Sequence, residues 1–350
     1  MAYTTINKPE DNFKAVLYTG THASVPTVTV GFKSDFLWLK SRTQTYDHAL
    51  FDTTRGGTKY IASNSNSAES TSGNSVTFNA TTFQPSGQAI NEAGQGADNM
   101  ISWNWKCNGG TTSSNSDGSV TSTVQANTTS GFSIVTYTAT GSGDITVGHG
   151  LGVAPDMILT KTRSVSYDWR VFINTPDAGG AGKALQLDGT AALSTNNSYP
   201  SPAPTSTVMT MGRGGDDNNN YANGETLVSY CFKSIQGYSK MGNYTGNGET
   251  NGSFVYTGFK PAWILTKPIA ATGNWNLNDN ARNLFNVVNK RLRANGSNTE
   301  TDSDAFDFLS NGFKIKNSGT AYNQNNYKYF YMAFAENPLV ATNGVPATAR

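Results

Sequence analysis

Asp216, Asn218 and Asn220 alternate along the run Asp216-Asp217-Asn218-Asn219-Asn220-Tyr221-Ala222-Asn223-Gly224-Glu225, and Glu225 closes it. Side-chain oxygens at this spacing can turn inward around calcium, a hard cation that takes about six to eight oxygen ligands. The run departs from an EF-hand loop, because Tyr221 stands where glycine is needed and the glutamate comes early. Corresponding stretches at 95–99 and 323–326 keep the polarity but carry fewer acids. Without a metal, the same residues make an Asx-rich hairpin whose side chains bond their own backbone. Calcium is the one cofactor the sequence suggests.

Other chemistry has less to work with. The chain holds three histidines, His22, His48 and His149, and none belongs to a His-x-His or His-Glu-x-x-His pattern. Gly-x-Ser-x-Gly and Cys-x-x-Cys are also missing, so serine and thiol-pair catalysis have no foothold. A glycosidase needs two carboxylates flanking a sugar bond. The acidic segment Asp302-Ser303-Asp304-Ala305-Phe306-Asp307 is the place to look, with Asp304 and Asp307 as the pair, although it also reads as a solvated turn entering a strand. Tyr46, Tyr167, Tyr199 and Tyr221 sit among Asn and Ser and could meet a glycan, whereas the six tryptophans read as core.

These residues ride on a pattern stated three times. Phe36-Leu37-Trp38-Leu39-Lys40, Met157-Ile158-Leu159-Thr160-Lys161 and Trp263-Ile264-Leu265-Thr266-Lys267 are apolar runs ending in lysine. Seven residues past each lysine comes Asp47-His48, Asp168-Trp169 or Asn274-Trp275. Each copy closes on an alternating strand, Ile101-Ser102-Trp103-Asn104-Trp105, Val228-Ser229-Tyr230-Cys231-Phe232 or Phe330-Tyr331-Met332-Ala333-Phe334. The period far exceeds the roughly 20–50 residues of a solenoid unit, so these are three small domains. Consecutive apolar residues in the lysine runs imply strands buried on both faces, and turn clusters interrupt the chain at sandwich-like intervals. The fold expected is all-β, with three tandem antiparallel β-sandwich domains of jelly-roll character.

The boundaries follow: an N-terminal arm over 1–12, sandwiches over 13–107, 132–234 and 235–338, and a tail over 339–350. Residues 108–131, rich in Ser, Thr, Gly and Asn, read as a flexible linker, although 119–124 could form one strand. That reading hinges unit one and packs units two and three rigidly together. Segment 281–289 is ambiguous between helix and strand.

A net charge of +1 gives no electrostatic footprint for nucleic acid. No apolar run reaches the ~18 residues of a membrane span, and the first residues lack a signal-peptide pattern. Charged residues make up only 14% of the chain, a bias suited to a long-lived extracellular or virion β-protein. Cys107 and Cys231 occupy unrelated repeat positions and form no disulfide framework.

The opening Met-Ala-Tyr-Thr-Thr-Ile-Asn-Lys-Pro, with Phe51-Asp52…Arg55-Gly56, Gly131-Phe132-Ser133-Ile134-Val135-Thr136-Tyr137, Gly148-His149-Gly150-Leu151 and Val255-Tyr256-Thr257-Gly258-Phe259-Lys260-Pro261-Ala262-Trp263, resembles the repeated-domain, tail-fibre-like virion proteins of marine tailed phages, cyanophages and pelagiphages. The resemblance runs the length of the chain; unit one departs from it at Gly31-Phe32-Lys33-Ser34-Asp35, which lacks the usual proline before the acid. It implies a non-enzymatic structural protein of the virion, made in the host cytoplasm and carried on a tail fibre or appendage for host attachment. It carries no catalytic residues across. The partners implied are further copies of itself, a trimer by analogy, other virion proteins and a host surface glycan. A capsid decoration or vertex protein, a lectin-like module and a capsule-degrading tailspike enzyme are the alternatives.

Overall fold

The computed structural model describes residues 3–21, 24–91, 98–176, 178–213 and 219–340, and these are nearly all β. Each unit is built on the same four-stranded antiparallel ladder, in the same order. In unit one the strands are Phe13–Gly20, Asp98–Trp105, Phe36–Ser41 and Ala49–Asp52. Unit two repeats this with Phe132–Thr138, Thr226–Phe232, Met157–Thr162 and Arg170–Thr175, and unit three with Ser239–Thr245, Lys328–Pro338, Phe259–Pro268 and Asn276–Asp279. Register is identical too. Phe36 faces Trp105, Met157 faces Phe232, and Trp263 faces Phe334.

Alternation along these strands divides the interior in two. One face of each ladder packs into a core private to its unit: Leu37 and Leu39 in the first, Ile158 and Cys231 in the second, Ile264 and Ala333 in the third. A second layer covers each private core. In unit one it is the small sheet of Val28–Thr29, Thr82–Gly87 and Asn74–Phe78, and in unit two the pair Ile145–Gly148 and Val208–Met211. In unit three the main sheet itself continues through Val288–Arg293, Thr301–Leu309, Gly312–Ile315 and Phe254–Tyr256 to close over the core.

The opposite faces of the three ladders meet in one common core. Ile101, Trp103 and Trp105 join Val228, Tyr230 and Phe232, and Phe330, Met332 and Phe334, in a single apolar cluster. The innermost residues, Trp105, Phe232 and Phe334, hold equivalent places in the repeat. Their ring centroids form a triangle with sides of 5.7, 6.2 and 6.4 Å. Phe13 stacks on Phe334 and Trp263 meets Trp105 edge-on, filling the axis with aromatic area.

This differs from the expected string of sandwiches with a hinged first unit. The large apolar residues on the second face of each closing strand cannot stay in water, and the other two units are what cover them. Segment 108–131 also departs from a flexible linker. It supplies strands Ser113–Asn115 and Ser122–Asn127 to the unit-two sheet. Its start is tied down as well: Asp35 accepts the amides of Cys107 and Gly109, and Gln125 those of Asn108 and Gly110. Ser and Thr suit edge strands because the backbone pairs while the side chains stay wet, and the strand expected at 119–124 overlaps the observed Ser122–Asn127. The described part of the N-terminal arm docks on unit three, where Thr4 donates to the Gln236 carbonyl and Ile6 enters the common core. Residues 281–287 form turns and bends, and the strand starts at Val288.

Candidate functional site

Two seams between units hold sets of buried charges. In the seam of units one and two, Arg55 pairs with Asp52 and Glu69, all three residues belonging to unit one. From unit two, Arg163 grips both Glu69 oxygens at 2.8 and 2.9 Å, and the Tyr230 hydroxyl donates to Asp52 at 2.7 Å. The seam of units three and one repeats the set. Arg282 pairs with Asp279 and Glu300 of unit three, Arg42 of unit one grips Glu300 at 2.8 and 2.9 Å, and Trp103 of unit one donates to Asp279 at 3.0 Å. The electrostatics agree with the geometry. Burial alone would lower the Arg55 pKa, but Asp52, Tyr230 and Glu69 raise it. Burial would likewise raise Glu69 and Glu300, yet the arginines on each hold both carboxyls below their usual range.

Among the described residues, the seam of units two and three has no such set. Register places Ile173 where Asp52 and Asp279 stand, and Met332 where Tyr230 and Trp103 stand. The backbone bond from Leu193 to Ile269 matches those from Glu69 to Arg163 and from Glu300 to Arg42, so an apolar pair replaces the carboxylate–arginine clamp.

One further link is common to all three seams and runs in a closed circle. The residue eight past each lysine bonds, through a ring nitrogen, to a carbonyl of the neighbouring unit. His48 Nε2 reaches Arg293 at 2.9 Å, Trp169 Nε1 reaches Ala62 at 2.8 Å, and Trp275 Nε1 reaches Gln186 at 2.7 Å. His48 can do a tryptophan's work because Trp38 donates to its Nδ1 at 2.8 Å, leaving the proton on Nε2. Burial keeps this histidine neutral by pushing its pKa well down. A side chain accepts the backbone amide of each of these three residues: Asn64 for His48, Asp188 for Trp169 and Asn295 for Trp275. Asp188 stands beside Asp168, and burial together with that neighbouring charge lifts it to about 7.

The lysines that end the apolar runs are fully buried. Lys161 donates to the carbonyls of Thr162, Tyr167 and Asn66, and Lys267 to those of Pro268, Gly273 and Thr190. In both cases the third acceptor belongs to the preceding unit. Burial pushes Lys40 and Lys267 down to about 8.

Of the residues suggested for calcium, Asp216 and Asn218 lie outside the described residues. Asn220 is buried; its Oδ1 accepts the Thr140 amide at 2.7 Å and its Nδ2 donates to Gly143 at 2.8 Å. Glu225 accepts the Ala222 amide at 3.1 Å. Both therefore tie their loop to itself and to its neighbour. Among the described residues, no three His, Cys, Asp or Glu side chains gather as a metal site. Asp302 pairs with Lys290 and Asp307 with Lys316, while Asp304 of the same strand is exposed. Tyr199 is core, and Tyr167 meets Tyr221 edge-on. All six tryptophans are buried. His149 is buried and bonds Leu151 and Thr205, while His22 lies outside the described residues. Cys107 and Cys231 are free, buried thiols in different cores.

The seam residues went unnoticed as chemistry, although Asp52-x-x-Arg55 and Asp279-x-x-Arg282 are a repeated signal. Also unnoticed was an exposed aromatic groove of about 460 Å³ in unit three, lined by Tyr331, Tyr244, Phe254, Tyr256, Lys240 and Asn243 among others.

The fold thus defines an all-β protein of three fused copies closed around one core. Residues 8–338 match a single family profile, a domain of unknown function (DUF7483), and the chain belongs to that family. The profile takes in all three units as one domain, as the shared core would require. No curated protein and no solved structure matches the chain significantly.

Proposed function

We propose that this chain is a non-enzymatic structural protein of a tailed-phage virion, carried on a tail fibre or appendage that engages the host surface. The observation that supports this most is how the titratable groups are used. The buried carboxylates and arginines at the seams bind one unit to the next, which is the work of a scaffold. A rigid, weakly charged body with polar loops outside suits a particle that must persist outside a cell. The resemblance along the whole chain points the same way. Further copies of the chain and other virion proteins are its partners in this reading, and repeated weak contacts with host glycan would sum through avidity. Internal threefold repetition also gives the chain the outline of a trimer, so one copy could sit on the axis of a trimeric fibre.

Electron cryomicroscopy of virions that carry the protein tests the reading. Density on the tail or on projecting fibres is the expected result. Density on the capsid lattice or its vertices would overturn attachment and make this a decoration protein.

A further inference from the structure

The main sheet of unit three has two free ends, the strands Ser239–Thr245 and Phe254–Tyr256. The sheet curls until these edges face each other, and the groove of about 460 Å³ lies between them. That volume is in the range of small-molecule sites. Lys240 spans the gap, donating to the Tyr256 carbonyl at 2.8 Å with its ammonium 5.4 Å from the Tyr256 ring centre.

Two features separate this groove from an ordinary surface dent. First, Phe254 and Tyr256, two apart on one strand and so on one face, are 46% and 48% exposed. Tyr256 is held in place, since its hydroxyl meets that of Tyr3 at 3.3 Å. Second, Tyr331 lines the groove while only 2% exposed, and its hydroxyl is not shut away from solvent. The hydroxyl has room because residue 242, opposite Tyr331 in register, is glycine: a Cβ there would come within 2.7 Å of it.

We propose that this groove binds a pyranose ring of a carbohydrate, with a uronic acid preferred over a neutral hexose. The C–H face of the ring packs on the exposed Phe254 and Tyr256 rings, and a ring hydroxyl bonds the Tyr331 hydroxyl. The described lining residues include one cation, Lys240, and no acid, which sets the preference for a carboxylated sugar. An added peptide strand fits less well. The edge strand Phe254–Tyr256 is three residues long, and Lys240 already occupies the Tyr256 carbonyl that a ladder would use. The inference extends the attachment reading but is tested without a virion, so its failure would remove the sugar site and leave that reading standing.

The test is saturation-transfer NMR and calorimetric titration of the full chain with digalacturonate, cellobiose and chitobiose. Weak binding is expected, with digalacturonate ahead. Tyr256→Ala should weaken it by roughly tenfold, the equivalent of one lost stacking contact. Tyr331→Phe should weaken it by about fivefold, as for one neutral hydrogen bond, with the thermal midpoint unchanged or raised. Lys240→Met should level the preference between acidic and neutral sugars. No transfer to any of the three sugars would overturn the proposal. So would binding that survives both tyrosine substitutions unchanged.

Discussion

Two kinds of seam hold the same three units together. Those between units one and two and between units three and one are clamped by a buried Asp–Arg–Glu set answered by an arginine across the interface. The seam between units two and three uses Ile173, Leu193, Ile269 and Met332. Equivalent backbone positions thus accept either solution, and the backbone bond beneath them does not change. Apolar contact is non-directional and gives adhesion. A bidentate arginine fixes geometry, because it works only when both oxygens are in place. Units two and three follow one another through Ser234–Gly237, so the chain already orients them. The first and third units are distant in sequence, and their seam has to find its register without that help.

The largest effect expected from disturbing this contrast is at the polar seams. Arg282→Ala leaves Asp279 buried without its cation and should cost about 3–5 kcal/mol, read by denaturant unfolding. An unchanged midpoint would mean that the clamp adds nothing. Next comes an attempt to make the apolar seam polar. Ile269→Arg alone should cost about 2–3 kcal/mol as an unpaired charge, and adding Leu193→Glu should restore about 1 kcal/mol. Simple additivity of the two substitutions would show that the site cannot host a clamp.

Asp188→Asn makes unit two match Asn64 and Asn295 of its neighbours. The folded pKa of Asp188, about 7, lies above the ordinary carboxylate value, so the folded state holds this proton more tightly than the unfolded chain does. Its contribution is complete below about pH 4 and is lost as pH rises through 7. The variant should therefore gain about 2 kcal/mol at pH 8 and little at pH 4; equal gains at both would refute the carboxyl-pair argument. The smallest effect concerns His48. Its pKa is depressed on folding, so the unfolded chain takes up the proton first and stability falls as pH drops below about 6.5. The double change Trp38→Leu with His48→Trp copies units two and three, where Leu159 and Leu265 accompany Trp169 and Trp275. It should reduce the loss of unfolding free energy between pH 7 and pH 5 by about 1 kcal/mol relative to the native chain, read by denaturant unfolding at the two pH values.

Much of this architecture was legible in the residues. The lysine runs, the closing strands and the aromatic residue eight past each lysine all turned out to be structurally equivalent, because each sits where backbone register leaves no freedom. The common core was half visible. The lysine runs read as buried on both faces and the closing strands as meeting solvent or a neighbour on their second face, but sequence does not say which surface covers it. The seam charges were repeated at 52 and 55 and again at 279 and 282, yet a carboxylate three residues from an arginine looks like any surface pair until its burial is known. The groove could not be read at all. Lys240, Tyr256 and Tyr331 come together only because the two ends of one curled sheet meet.

The triangle of Trp105, Phe232 and Phe334 has a consequence for how such a protein can change. In an assembly of three identical chains, a substitution at the axis arrives three times at once, and all three copies must tolerate it. Here the three corners are separate codons, and one already holds tryptophan where the others hold phenylalanine. A bulkier ring at one corner can be answered by a smaller one at another. The same independence let one seam turn apolar and one unit open a groove that its sisters need not share.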